Sequence, residues 1–201
     1  MSLTKNVAAI ILAAGGSLRL GKPKQLLQFR GKSLVRRVAD AAIEANCKPV
    51  VVVAGSAENE VRLELSDAKM LVVENKNWRR GIGSSIHAGV QYLIDSGIEI
   101  DAAVLLVCDQ PHVDATVIKK LIELHTQTNK AIVASSYGGS FGVPALFDHT
   151  CFEKLLALPN DGGAKRLIEI NNAVVAEFPF GEGAIDVDTE EDWQAAQLRL
   201  S

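Results

Sequence analysis

Residues 10–25 read Ile10-Ile11-Leu12-Ala13-Ala14-Gly15-Gly16-Ser17-Leu18-Arg19-Leu20-Gly21-Lys22-Pro23-Lys24-Gln25. The apolar run from Val7 to Ala14 has the pattern of a parallel strand buried on both faces. It stops at a glycine pair and passes into a loop bearing Arg19, Lys22 and Lys24. Glycines let backbone N–H groups approach oxyanions closely and the cations supply charge, so this strand end suits a polyphosphate. Two familiar loops are excluded. Residues 16–23 follow Walker A spacing until Pro23, which replaces the Mg²⁺-holding hydroxyl and has no N–H to offer. Gly15, Gly16 and Gly21 miss the G-x-G-x-x-G spacing, and Ala54-Gly55 stands where a dinucleotide fold ends its second strand on an acid. A nicotinamide-dependent oxidoreductase is therefore poorly supported.

Outward from this stretch, Ser33 is placed to cap a helix running to about Ala45, with Leu34, Val35, Val38, Ala39, Ala42 and Ile43 on one face. Val50 to Ala54 is a second buried strand, residues 58–65 a helix, and Met70 to Val73 a third strand. The order β, α, β, α, β with right-handed crossovers puts these strands in one parallel sheet. Ligands in such sheets bind beyond the carboxyl ends of the strands, where the opening loop lies. Ala102 to Cys108 forms a central strand, and Asp109-Gln110-Pro111 follows it at once, directing a carboxylate into the same crevice. Asp114 is the better cap for the next helix, which ends near His125, where a cation suits the helix dipole. Residues 131–134 make a fifth strand. Residues 137–147 are a glycine-rich loop feeding a short strand whose Pro144 confines it to an edge or its first positions. Asp161 is a candidate cap for a helix carrying Lys165 and Arg166, Val174 to Phe178 is a strand, and Thr189 with Asp192 can cap a final helix.

The whole reads as a doubly wound α/β fold with a mostly parallel sheet and helices on both faces. One domain over 1–201 is expected, with a nucleotide-binding half to about residue 110 and an acceptor-binding elaboration from 111 onward. The chain is long enough for one domain to bury roughly 70 % of its unfolded surface. A formal charge of −3 with 5 % aromatics argues against a nucleic-acid binder. No apolar run approaches the roughly 18 residues of a membrane span, and no signal peptide precedes the first strand. Cys47, Cys108 and Cys151 are far apart and form no C-x-x-C, so neither a zinc site nor a disulfide framework is expected. These features point to the cytoplasm.

Leu12-x-x-Gly15-x-x-x-Arg19-x-Gly21-x-x-Lys24 resembles the signature of nucleotidyltransferases that bind an NTP on a doubly wound sheet. Leu-Ala-Ala-Gly followed by Gly-Lys-Pro-Lys-Gln-Leu-Leu is similar to the molybdenum cofactor cytidylyltransferase branch of the MobA-like NTP transferases. The resemblance implies a Mg²⁺-dependent transfer from an NTP, CTP in this branch, to a phosphorylated acceptor such as molybdopterin, with a molybdenum hydroxylase as possible client. It assigns the base edge to Leu12, Ala13 and Ala14, backbone phosphate donors to Gly15 and Gly16, and the leaving phosphates to Arg19. Lys24 falls to the α-phosphate, and Asp109 and Asp188 to the metal, with Asp186 the weaker choice.

A loop reading Asn75, Trp78, Gly81, Gly83, Ser84, Ser85 matches the family segment that closes over base and ribose, although either serine could simply cap the following helix. In the later half, Gly142, Pro144 and Phe147, and Asp161, Gly163 and Ala164, match acceptor-side patterns. Val143, Asn160, Lys165 and Glu190 depart from them. Those departures keep two other readings open: a sugar- or polyol-phosphate nucleotidyltransferase, and a catalytically idle nucleotide-binding maturation factor.

Overall fold

The computed structural model describes residues 5–17, 20–67, 69–171 and 174–199, with 198 and 199 described by backbone alone. The elements run β1 (Val7–Ala13), the hairpin β2 (Gln28–Phe29) and β3 (Lys32–Ser33), α1 (Leu34–Glu44), β4 (Val50–Ala54), α2 (Glu58–Glu64), β5 (Leu71–Glu74) and α3 (Ile82–Asp95). β6 (Ala102–Val107), α4 (Ala115–Thr128), β7 (Ile132–Tyr137), β8 (Ser140–Asp148), α5 (Phe152–Leu156), α6 (Ala164–Ile170), β9 (Val175–Pro179) and α7 (Glu190–Arg199) follow. The main sheet has seven strands in the order β5-β4-β1-β6-β8-β7-β9. β5, β4, β1 and β6 are parallel neighbours. β8 runs antiparallel to both β6 and β7, and β9 returns parallel to β7.

The side-chain alternation of β1 shows why the sheet is covered on both faces. Val7, Ala9, Ile11 and Ala13 pack with α1 and α4, while Ala8, Ile10 and Leu12 pack with α3, α5 and α6. The second layer comes unusually close at Gly89 of α3, where a Cβ would lie 2.5 Å from Ile10 Cγ2. Three of the expected caps form. Ser33 Oγ accepts from Arg36 N, and an Asp114 carboxylate oxygen from Val117 N. Thr189 and Asp192 cap α7 reciprocally, Thr189 N and Oγ1 donating to the carboxylate and Asp192 N to Thr189 Oγ1.

Three local expectations are corrected. The proline strand is no edge: β8 is nine residues long and lies between β6 and β7. Pro144 is accommodated because pairing with β6 ends at Ala145 and the β7 register shifts between Ala134 and Ser135, so no ladder bond needs its missing N–H. The Pro144 carbonyl instead accepts from the buried Ser135 Oγ at 2.6 Å. Asp161 does not cap α6, whose N-cap is Gly163 without a side-chain bond. His125 is no dipole-stabilising cation. It is 1 % exposed, with Nδ1 2.9 Å from the Lys130 carbonyl and Nε2 2.9 Å from Lys5 Nζ. Those partners require a neutral ring that donates at Nδ1 and accepts at Nε2. Burial, with the Lys5 charge, holds its pKa below the ordinary histidine value, although the Lys130 bond and the Asp148 and Asp101 charges oppose this.

The unfolded chain therefore binds the His125 proton more readily than the folded one. Stability from this group is present above the unfolded pKa of about 6.5 and is lost as pH falls below it. Urea unfolding of the wild type and His125→Gln at pH 7.5 and pH 5.5 should show the wild type's advantage shrinking at the lower pH. An advantage that grows on acidification would mean the ring is charged in the folded protein.

Candidate active site

β1 and β6 end side by side at the carboxyl edge of the sheet, and the loops leaving them, with residues 78–85 after β5, line a cavity of about 350 Å³. Leu12, Ala13, Ala14, Gly15 and Gly16 line it, as do Lys24, Ser85 and Asp109. The loop after β1 is held open by its neighbours. Ser56 N and Oγ donate to the Ala14 and Gly15 carbonyls, at 3.2 and 2.8 Å. Ser17 has a left-handed backbone (φ 49°), and its Oγ accepts from Lys24 N at 2.9 Å, fixing where the lysine starts. Neither serine is recognisable as a functional residue from its local sequence, because each bond joins it to a distant or strained backbone group.

Lys24 Nζ donates to Asp109 Oδ2 at 2.5 Å and to Asp188 Oδ1 at 2.9 Å. Asp109 stands just past β6 and Asp188 just before α7, so residues far apart in the chain meet on one ammonium. The side chains are 17 %, 18 % and 37 % exposed for Lys24, Asp109 and Asp188. Burial opposes the Lys24 charge, but Asp109 and Asp188 outweigh it and hold its pKa above the ordinary lysine value. Burial, followed by the charges of Asp109 and Asp188, pushes the nearby Asp186 carboxyl up to about 6, although that residue still reaches solvent at the rim. Burial also pushes the Cys108 thiol up to about 12, so it is inert beside this chemistry.

The Asp188 approach is built by the C-terminal segment. Val187 N donates to the Asp109 carbonyl at 2.9 Å, and Val187, Trp193 and Ala196 form a small core with Leu27, Phe29 and Leu34. Trp193 meets Phe29 edge to face at 6.1 Å, and Lys22 Nζ pairs with Glu190 at 3.0 Å. Thus the stretch after the glycine loop and the stretch bearing Asp188 are packed as one unit.

The site residues expected of the 75–85 loop divide. Ser85 lines the cavity, whereas Asn75 and Ser84 form a buried knot behind it. Asn75 Nδ2 donates to both Ser84 Oγ and Ser85 Oγ at 2.9 Å, and Ser84 Oγ reaches the Asn77 and Gly81 carbonyls. The cap of α3 is Gly81 with no side-chain bond, so the serines do not serve as its N-cap. Gly83 faces the 159–162 loop: a Cβ there would lie 2.2 Å from the Pro159 carbonyl oxygen. Arg19 lies outside the described residues.

A second cavity of about 280 Å³ adjoins the first across Leu12, Ile82 and Val107. Its walls are mainly apolar, including Tyr137, Phe141 and Val143, with Lys165 at the start of α6. Gly142, Gly163 and Ala164 line it too, whereas Phe147 is core.

Two hard carboxylate donors converging on a position already held by a cation fit a small divalent ion that takes its remaining ligands from phosphate and water. Among the described residues, no group of three or more His, Cys, Asp or Glu side chains forms a closed metal cage. Also among the described residues, no helix is long and apolar enough to cross a membrane.

The chain is similar to the purine catabolism protein PucB of Bacillus subtilis, 27 % identical with 96 % of each chain covered. It is also similar to nicotine blue oxidoreductase of Paenarthrobacter nicotinovorans, 33 % identical over 59 % of this chain and 57 % of that one. The fold matches the crystal structure of Rv0371c from Mycobacterium tuberculosis, at 26 % identity and TM-score 0.82 with 98 % and 100 % covered. A manganese complex of that protein matches at 25 % identity and TM-score 0.75, covering 98 % and 100 %. Residues 9–176 match the MobA-like NTP transferase domain, and the chain belongs to that family of nucleotidyltransferases.

Proposed function

We propose that the protein is a Mg²⁺-dependent cytidylyltransferase that joins CTP to a phosphorylated acceptor of the molybdopterin type and releases pyrophosphate. The observation that carries this reading is the meeting of Lys24, Asp109 and Asp188 at the mouth of a glycine-lined cavity. An acceptor phosphate oxygen attacks the α-phosphorus, the bond to the bridging oxygen breaks, and pyrophosphate leaves with that electron pair. No covalent enzyme intermediate is required, because positioning and charge neutralisation supply the acceleration.

Gly15 and Gly16 bind phosphate through backbone N–H groups, with Leu12, Ala13 and Ala14 along the base. Ser85 takes part at the nucleoside, while Asn75, Gly83 and Ser84 shape that wall from behind. Asp109 and Asp188 would hold the metal, which would polarise the phosphate oxygens and mask their charge. Lys24 then donates to the α-phosphate oxygens, where negative charge grows in the transition state, and Arg19 holds the departing phosphates. The manganese complex of the mycobacterial relative supports the use of a divalent ion. The apolar second cavity supports an acceptor with a flat, partly apolar body over a polyol, whose hydroxyls would lack partners there. Residues to about 110 form the nucleotide half and those beyond it the acceptor half, with a molybdenum hydroxylase as the client served.

The direct test is pyrophosphate release with each of four NTPs against molybdopterin and sugar-phosphate acceptors. CTP with molybdopterin should turn over fastest; absence of release with every acceptor would leave an idle nucleotide binder. Lys24→Ala should lower kcat by about 10²- to 10³-fold with a much smaller change in NTP affinity, the pattern of a contact made mainly in the transition state. It should also tighten binding of Mn²⁺ alone, by about tenfold or ~1.4 kcal/mol, since a competing cation is gone. Equal losses in kcat and affinity would count against this role. Asp109→Asn should abolish metal-dependent turnover and weaken Mn²⁺ binding while circular dichroism stays native; unchanged turnover removes it from the site.

A further inference from the structure

One cation at the nucleotide cavity belongs to no motif. Trp78–Arg80 form a 3-10 turn between β5 and α3, and both Trp78 and Arg79 line the cavity while Arg80 does not. Trp78 is seated by Gly55 at the end of β4. A Cβ on Gly55 would lie 2.8 Å from Trp78 Cβ, Trp78 Cγ and the Ala14 carbonyl oxygen alike. The indole therefore lies against the strand end beside the glycine loop, in space that only glycine leaves. The Arg79 guanidinium sits over that indole, 4.4 Å from the ring centroid. No carboxylate among the described residues pairs with it.

The charge balance makes this arginine consequential. Among the described residues lining the cavity, Lys24, Arg79 and Asp109 carry charge, and Lys24 is shared between Asp109 and Asp188. A triphosphate entering the cavity meets in Arg79 a cation that no acidic group neutralises. Stacking on indole leaves the guanidinium's in-plane N–H groups directed outward, suited to phosphate oxygens.

We infer that Arg79, carried on the Trp78 ring, is a phosphate-binding residue of the nucleotide site, with the phosphate chain of a nucleoside triphosphate as its ligand. The inference rests on the nucleotidyltransferase reading above. An acceptor phosphate is the less suitable ligand, because Arg79 borders the glycine-lined cavity and not the apolar one beside it, which has Lys165.

Calorimetric titration of the full chain with Mg-CTP and with CMP, without acceptor, separates the possibilities. Arg79→Ala should weaken Mg-CTP by about ten- to a hundredfold and CMP by less than about threefold, as for hydrogen bonds from a charged donor to the outer phosphates. Arg79→Lys should recover part of the loss, and Arg80→Ala, which removes a neighbouring charge outside the cavity, should change little. Equal weakening of CTP and CMP would mean that Arg79 only props the indole, and overturns the proposal. So would unchanged CTP binding with a raised KM for the acceptor. If the wild type binds neither nucleotide, the parent reading fails as well. If wild-type CTP binding is intact and indifferent to Arg79→Ala, only the arginine's role falls.

Discussion

The site depends on one arrangement: an ammonium shared by two carboxylates, one from the middle of the chain and one from near its C-terminal end. Two like charges do not stay within reach of a common point unless something positive lies between them. In the structure that role falls to Lys24, within 2.5 and 2.9 Å of Asp109 and Asp188. Lys24 thereby keeps both acids close to one point. Removing one member of a partly buried ionic cluster strands the others, so the three side chains must be understood as a unit.

The fold around this unit is arranged to bring the acids to the lysine. Asp109 needs only the end of a buried strand, since β6 is hydrogen-bonded on both sides and its carboxyl end is held by the sheet. Asp188 has no strand to place it. Its position comes from the Val187 N–H on the Asp109 carbonyl, from the Trp193–Phe29 contact and from the capping of α7 by Thr189 and Asp192. The Lys22–Glu190 pair, half exposed at both ends, adds little to stability but joins the same two segments.

What was legible in the sequence is what local physics writes locally. The apolar runs of β1, β4 and β6, their glycine and aspartate endings, and the caps at Ser33, Asp114 and Thr189 each depend on a few consecutive residues. The insertion of β8 between β6 and β7 was not legible, because it depends on a bulge at Val143 and Pro144, defined only by how β8 pairs with β7. His125 likewise looked like a helix-end cation until Lys5, 120 positions away, was seen to occupy its second nitrogen. Asn75 and Ser84 match the family pattern, yet their hydrogen bonds turn inward to one another. Conversely, Arg79 matches no pattern and reaches the cavity because Gly55 leaves room for the neighbouring indole.

The contact between Gly83 and the 159–162 loop bears on how the two cavities act together. Main chain lies directly on main chain there, with Ser84 N donating to the Asn160 carbonyl and no side chain interposed. Such a junction has no rotamers through which to absorb a displacement. Whatever molecule shifts the loop leading into α6 must therefore carry the opening turn of α3 with it, and the occupancy of one compartment is felt mechanically as a change in the width of the other.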